Sequence, residues 1–311
     1  MSVLTAGSAP ADEVTLKAVG AFNTSAGVSA PFRNFIDWVN ENGKGVVQIR
    51  FLGGPETIPP FELGGAISSG VVDVGFAPHA FYANILPGAA MVKLATNTGQ
   101  EQRRNGCYEK LDTLHQERMN VKYLGRTGDR IQYHLYLNKR HDSADLSGLT
   151  IRVTPIYQAM FGSLNANMVN TPPGDVYAAL ERGAVQGYGW PSIGIFDLGW
   201  QDHTKYRVDP GFYQQDVNIL VNLDKWKSLT DEQRAVFGEA MDVAEAAEAN
   251  NEALVKAEKK KHAEAGIETI ELTGDDRGTW LAAAAETART EIAKSDAAAV
   301  ELLIDCLTSA R

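Results

Sequence analysis

Apolar positions along the chain follow two rhythms, and their order predicts alternating strands and helices. Residues 14–19 alternate and read as a strand. They open into the small-residue loop 20–27, a usual place for ligand contacts. Residues 31–40 read as a helix whose stripe is Phe32, Phe35, Ile36 and Val39, with Gly43 past its end. A strand follows over 46–52. Residues 100–120 predict one long amphipathic helix carrying Cys107, Leu111 and Leu114 on one face, then a strand over 121–124. Residues 131–137 alternate, with Tyr133 and Leu135 on one face and His134 and Tyr136 on the other. This segment is read as crossing between two lobes. A helix is expected over 156–164, with Pro155 suited to its first turn, and a strand over 219–223. The capping box Thr230–Gln233 opens a helix running to about Ala265, where Gly266 ends it. At about 50 Å it exceeds one small lobe. Two more helices are expected over 280–293 and 297–307.

Two stretches share one template. Residues 66–78 align without a gap on residues 179–191. Ala66, Gly70, Val72 and Pro78 recur as Ala179, Gly183, Val185 and Pro191. In each, a short helix ends at a glycine, where a left-handed cap is cheapest, and a short buried strand follows. Before each unit lies a strand carrying an arginine, Arg50 and Arg152. A repeated strand–helix–strand unit implies two similar α/β lobes meeting at a cleft.

Composition narrows the classes. The 311 residues suit two medium domains, and 44% hydrophobic with 22% charged residues is ordinary for a globular chain. A net charge of -10 argues against nucleic acid as a partner. No apolar stretch approaches a membrane span. The opening Met1–Pro10 lacks a basic and apolar leader. It reads as the head of a mature chain whose signal peptide has been removed, or as that of a cytoplasmic protein. Cys107 and Cys306 are too few for a disulfide scaffold; they either pair in an oxidising compartment or pack as buried thiols.

No catalytic motif stands out. There is no G-x-S-x-G elbow, no H-E-x-x-H and no complete phosphate loop, and the six histidines lack metal-ligand spacing. No catalytic residue, cofactor or metal is therefore expected. Strand ends are rich in aromatics instead: Phe22 beside Asn23, then His79, Phe81 and Tyr82, then Tyr188 and Trp190, then Phe212 and Tyr213. Rings at the carboxyl ends of strands supply flat apolar walls for a ligand, or simply pack the lobes together.

Residues 145–153, Asp145-Leu146-Ser147-Gly148-Leu149-Thr150-Ile151-Arg152-Val153, and residues 174–187 resemble the DctP-type substrate-binding proteins of TRAP (tripartite ATP-independent periplasmic) transporters. Their patterns are roughly "D-L-K-G-L-K-I-R-V-P" and "E-V-Y-x-A-L-Q-x-G-x-V-D-G". The likeness extends in order to residues 64–75 and 219–226, covering about 14–265. It implies a periplasmic-binding-protein-like α/β fold of two lobes with an inter-lobe cleft and a long helix spanning both. Lobe I would hold 1–130 plus 217–250, lobe II 131–216 plus 266–311, and the spanning helix 230–265. It also implies a monomeric periplasmic protein that captures a small organic carboxylate and hands it to membrane permease subunits. The family's strand arginine, which pairs with the ligand carboxylate, falls on Arg152. A guanidinium suits that task because it stays charged and grips carboxylate bidentately.

Two departures matter. Where many members carry an asparagine, this chain has Trp190. Keto-acid binders place a glutamate and a tryptophan there beside a metal ion, but residue 189 is glycine. A second family arginine has no counterpart, so His134 or Tyr136 would substitute. The expected ligand contacts are Arg152, Trp190, Tyr188, His134, Phe22, Asn23, His79, Phe81, Tyr82 and Tyr213. The rings favour an aromatic or apolar monocarboxylate. Two other readings remain: a two-lobed enzyme acting on a small acid with His134 or His79 as acid or base, and a relative that binds no free solute.

Overall fold

The computed structural model describes residues 13–308; the opening ten residues lie outside them. The first lobe begins β1 (Val14–Gly20), α1 (Ala30–Asn42), β2 (Val47–Gly53), α2 (Leu63–Ser68), β3 (Val74–Ala77), α3 (Gly99–Arg104), α4 (Cys107–Met119) and β4 (Val121–Thr127). The chain then crosses to a second lobe of β5 (Tyr133–Leu137), β6 (Thr150–Val153), α5 (Gln158–Ser163), β7 (Asn167–Asn170), α6 (Val176–Glu181), β8 (Gly187–Pro191) and β9 (Tyr206–Asp209). It returns as β10 (Val217–Asn222), α7 (Leu223–Ser228) and α8 (Asp231–Ala247), and closes with α9 (Asn251–Glu264), β11 (Glu268–Glu271) and α10 (Gly274–Thr308).

The sheets are ordered β2-β1-β3-β10-β4 and β11-β9-β5-β8-β6-β7. Each lobe therefore holds a βαβαβ unit in 2-1-3 strand order, with an antiparallel strand against its third member: β10 against β3, and β5 against β8. The repeated template occupies α2–β3 in one unit and α6–β8 in the other. The register settles which residues correspond. Val19 pairs with Gly75, while Arg152 pairs with Tyr188, the template equivalent of Gly75. Arg152 thus sits where the first lobe has Val19. The expected equivalence of Arg50 and Arg152 fails, because β2 is the outer strand of its unit and β6 the middle one.

Central strands are buried throughout, as β3, β5, β8 and β10 show, while edge strand β7 is exposed at every position. Burial on both faces explains why apolar residues dominate them, with His134, Asn218 and Asn222 as buried polar exceptions. Two expected helices are interrupted. The helix over 100–120 breaks at Gly106, whose φ of 80° is left-handed. The long helix breaks into a 3-10 turn at Glu248–Asn250. Its halves serve different lobes: α8 packs on α1 and β4, while α9 stacks His262 near Tyr136 and Phe196.

The C-terminal region departs from its expected place in the second lobe. α10 bends at Asp296 (φ -155°, ψ 66°), between the two helices read from sequence. Its first half sets Trp280 against Phe161 and Phe212 of the second lobe. Its second half returns to the first lobe, where Cys306 forms a disulfide with Cys107 of α4. Of the two cysteine states left open by the sequence, the structure holds the paired one.

Candidate functional site

Four crossings link the lobes, the bend of α10 at Asp296 among them, and the other three form the joint. Segments 128–132 and 210–216 run side by side, with Gln132 bridged to Gln214 and the Gln215 amide donating to the Ile131 carbonyl at 2.8 Å. The third is the broken helix. The Glu248 carboxylate there accepts from the amides of Gly128 (2.6 Å) and Asp129 (2.8 Å) and from Asn251 Nδ2 (2.7 Å). Burial, then the nearby Asp129 charge, pushes the Glu248 carboxyl up to about 7, against the lowering effect of those donors.

Beside this joint lies a cavity of about 510 Å³ at the carboxyl ends of the strands, the place ligands take in open α/β sheets. The first lobe contributes Phe22, Asn23, Pro55, Pro59 and Pro60. The second contributes Pro172, Pro173, Asp175, Tyr177, Trp190, Asp197 and Trp200. Across the cleft, the Gly27 amide donates to Asp197 Oδ2 at 2.9 Å. Trp190 and Trp200 meet edge to face, with ring centroids 4.6 Å apart.

Behind the tryptophans lies Arg152, fully buried. Its Cζ is 6.0 Å from each indole centroid. Nε donates to the Thr171 carbonyl at 2.8 Å, and Nη1 donates to the Tyr157 hydroxyl at 2.9 Å. That hydroxyl donates onward to the Gly189 carbonyl at 2.7 Å. Nη2 is buried without a partner. The buried arginines Arg126 and Arg207 each hold an aspartate, Asp129 at 2.7 Å and Asp209 at 2.8 Å. Among the described residues, Arg152 has no such carboxylate. Burial pulls its pKa down, and the Tyr157 and Tyr133 phenols oppose that. Burial also pushes the Tyr157 phenol up, which keeps it a neutral donor.

The residues expected to touch ligand divide into groups. Phe22, Asn23 and Trp190 line the main cavity. Phe81 joins Phe22, Tyr133, Thr154, Tyr157 and Trp190 around a void of about 20 Å³. Arg152 lies behind Tyr157 and Trp190 rather than on the cavity wall. The remaining five lie within the lobes. Tyr188 bonds Thr204 at 2.6 Å and stacks on Tyr136. Tyr82 bonds His115 at 3.1 Å. The Tyr213 hydroxyl donates to the Ala284 carbonyl at 2.9 Å. His134 faces Asp209 at 2.8 Å. His79 is clamped by Asp216 and Asn218. Four of these side chains are saturated or packed by their own lobe, while His79 keeps Nε2 unpartnered among the described residues, beside a void of about 20 Å³ that Pro155 and Ile156 also line.

Trp200, Tyr157 and Gln215 line these spaces without being among the residues expected from the sequence. Trp200 enters from a 3-10 turn after left-handed Gly199, and only tertiary packing brings it to Trp190. Residue 189 has no room for a metal-ligating carboxylate: a Cβ there would fall 2.6 Å from the Tyr157 ring. Among the described residues, no group of three or more His, Cys, Asp or Glu could hold a metal ion. The residues present do not fit a metal at this position.

Comparison with known proteins bears on this geometry. The family described as bacterial extracellular solute-binding protein, family 7, matches residues 30–295. A monocarboxylate 2-oxoacid-binding periplasmic protein of Nostoc sp. is 25% identical over 195 residues, 58% of this chain. The match spans about half that relative's length, 52%. A solved extracytoplasmic solute receptor from Bordetella pertussis, binding pyroglutamic acid, superposes with a TM-score of 0.82 at 16% identity. It covers 94% of this chain and 99% of its own. A marine-metagenome TRAP solute-binding protein specific for aromatic acids, solved with 3-hydroxybenzoate, has a TM-score of 0.79 at 22% identity, covering 96% and 98%.

Proposed function

Since the chain belongs to bacterial extracellular solute-binding protein family 7, we propose that it captures a small organic monocarboxylate in the periplasm. It then delivers the compound, chemically unchanged, to the membrane permease of a TRAP transporter. One observation carries this reading: among the described residues, Arg152 is a fully buried cation with an unpartnered Nη2 and no carboxylate of its own. Burying an unpaired charge costs several kcal/mol, so the site stores a demand for an anion. The demand is directional. Asp175 and Asp197 line the cavity mouth and repel a carboxylate head toward Arg152.

The ligand's body meets Trp190, Trp200, Phe22 and prolines, which favours an aromatic or apolar acid. The printed ligands of the relatives above, a 2-oxoacid, pyroglutamic acid and 3-hydroxybenzoate, support a carboxylate head. The enzyme reading loses its acid–base candidates, because His134 and His79 face Asp209 and Asp216 inside the lobes. The test is mass spectrometry of whatever co-purifies, followed by a thermal-shift screen of organic acids. A recovered acid, returned unchanged after incubation, is the expected result. Conversion of that acid to a product would overturn the reading.

A further inference from the structure

A second compartment of about 310 Å³ lies on the far side of the joint, between α1 and the broken long helix. Trp38 and Phe35 wall it on one side; Val243, Ala244 and Leu254 wall it on the other. It shares Gly27, Val28, Ile193 and Gln215 with the main cavity. That ring of four residues borders both spaces. Gln215 stands in the ring, 3% exposed, and its Oε1 is buried with no donor to meet it. Val243 and Leu254 are half exposed, at 49% and 52%, so apolar surface is left uncovered at the compartment's rim. A cavity of this size falls in the range that holds a small organic group.

We infer that the ligand is an extended amphipathic monocarboxylate whose apolar tail enters this second compartment. The inference rests on the carboxylate-binding reading above. The acid head lies toward Arg152, and the body crosses the indoles of Trp190 and Trp200. The tail passes between Val28 and Ile193 to reach Trp38 and the helix. A turn of the Gln215 side chain brings its buried Oε1 to a hydrogen-bond donor between head and tail, such as the N–H of an N-acylated amino acid. A compact acid would leave the second compartment empty and that oxygen unmet.

Calorimetry with acetylglycine, hexanoylglycine and decanoylglycine tests this, since the three share head and amide and differ only in tail. Affinity is expected to rise by at least about tenfold across the series, because each buried methylene adds to binding. Ala244→Trp, which fills the second compartment from a position that does not line the main cavity, is expected to erase that rise while leaving acetylglycine within about twofold. The wild-type series alone decides the matter if the variant does not fold. Equal affinity for all three acids would overturn the inference and leave the carboxylate reading standing. So would an equal loss for all three in the variant. No binding of any acid, here or in the organic-acid screen, would remove both.

Discussion

Arg152 and Tyr157 form one unit: Nη1 of the arginine donates to the tyrosine hydroxyl at 2.9 Å, and that hydroxyl donates to the Gly189 carbonyl. The tyrosine aims the guanidinium and occupies the space beside residue 189 that a larger side chain would need. Tyr157→Phe removes the hydroxyl and leaves Arg152 Nη1 and the Gly189 carbonyl only their long contact with each other, 3.5 Å. We expect a loss of about 1–3 kcal/mol in unfolding free energy. Carboxylate affinity should fall with it, since Arg152 loses its orientation. Thermal unfolding and calorimetry on the same preparation check both. Unchanged affinity would detach Tyr157 from the site.

The Gly27–Asp197 hydrogen bond joins the lobes across the cavity. Asp197→Ala should destabilise the closed arrangement and speed ligand release. A hydrogen bond to a charged acceptor is worth about 1.5–3 kcal/mol, so dissociation should quicken by about tenfold or more. Stopped-flow displacement measures this. An unchanged off-rate would mean the bond does not hold the ligand-bound state.

Closure should turn on the paired crossings near residues 128–133 and 210–218, where Gln132 bridges Gln214. Small-angle scattering should show a smaller radius of gyration with saturating ligand than without. An unchanged radius, with binding confirmed separately, would count against hinge motion.

Glu248 makes the joint sensitive to pH. Its folded pKa of about 7 lies above the ordinary 4.5, so between those values the folded state binds more protons than the unfolded one. Stability therefore falls as pH rises through that window, by up to about 3 kcal/mol from this group. Glu248→Gln should flatten the dependence. It should match wild type near about pH 4 and exceed it near about pH 8. Parallel curves for the two proteins would contradict this.

The sequence made the repeated unit readable because glycine and valine recur at fixed spacing around α2–β3 and α6–β8. It hid β7, whose Asn167–Asn170 run is exposed throughout and has no alternation. The break at Glu248–Asn250 left only a weak local signal, the weak helix formers Asn250 and Asn251 in a stretch otherwise rich in alanine and glutamate. At the site, Trp190 and Phe22 were readable as rings at strand ends. Tyr188, two residues before Trp190 on the same strand, was equally plausible, but Thr204 and Tyr136 hold it inside the lobe. Trp200 and Tyr157 reach Arg152 through tertiary packing, which no spacing rule reports.

The central claim is that Arg152 holds the ligand's carboxylate. Calorimetry on Arg152→Ala and Arg50→Ala, using the acid recovered from the wild-type protein, tests it most directly. Arg50 is exposed and sits on the outer strand β2, so its loss should barely change affinity. Loss of Arg152 leaves a carboxylate unpaired in a buried site and should cost about 2–5 kcal/mol of binding. Arg152→Lys should restore only part, since a point charge lacks the two-pronged geometry. Equal losses at the two positions, or a larger loss at Arg50, would place the carboxylate elsewhere.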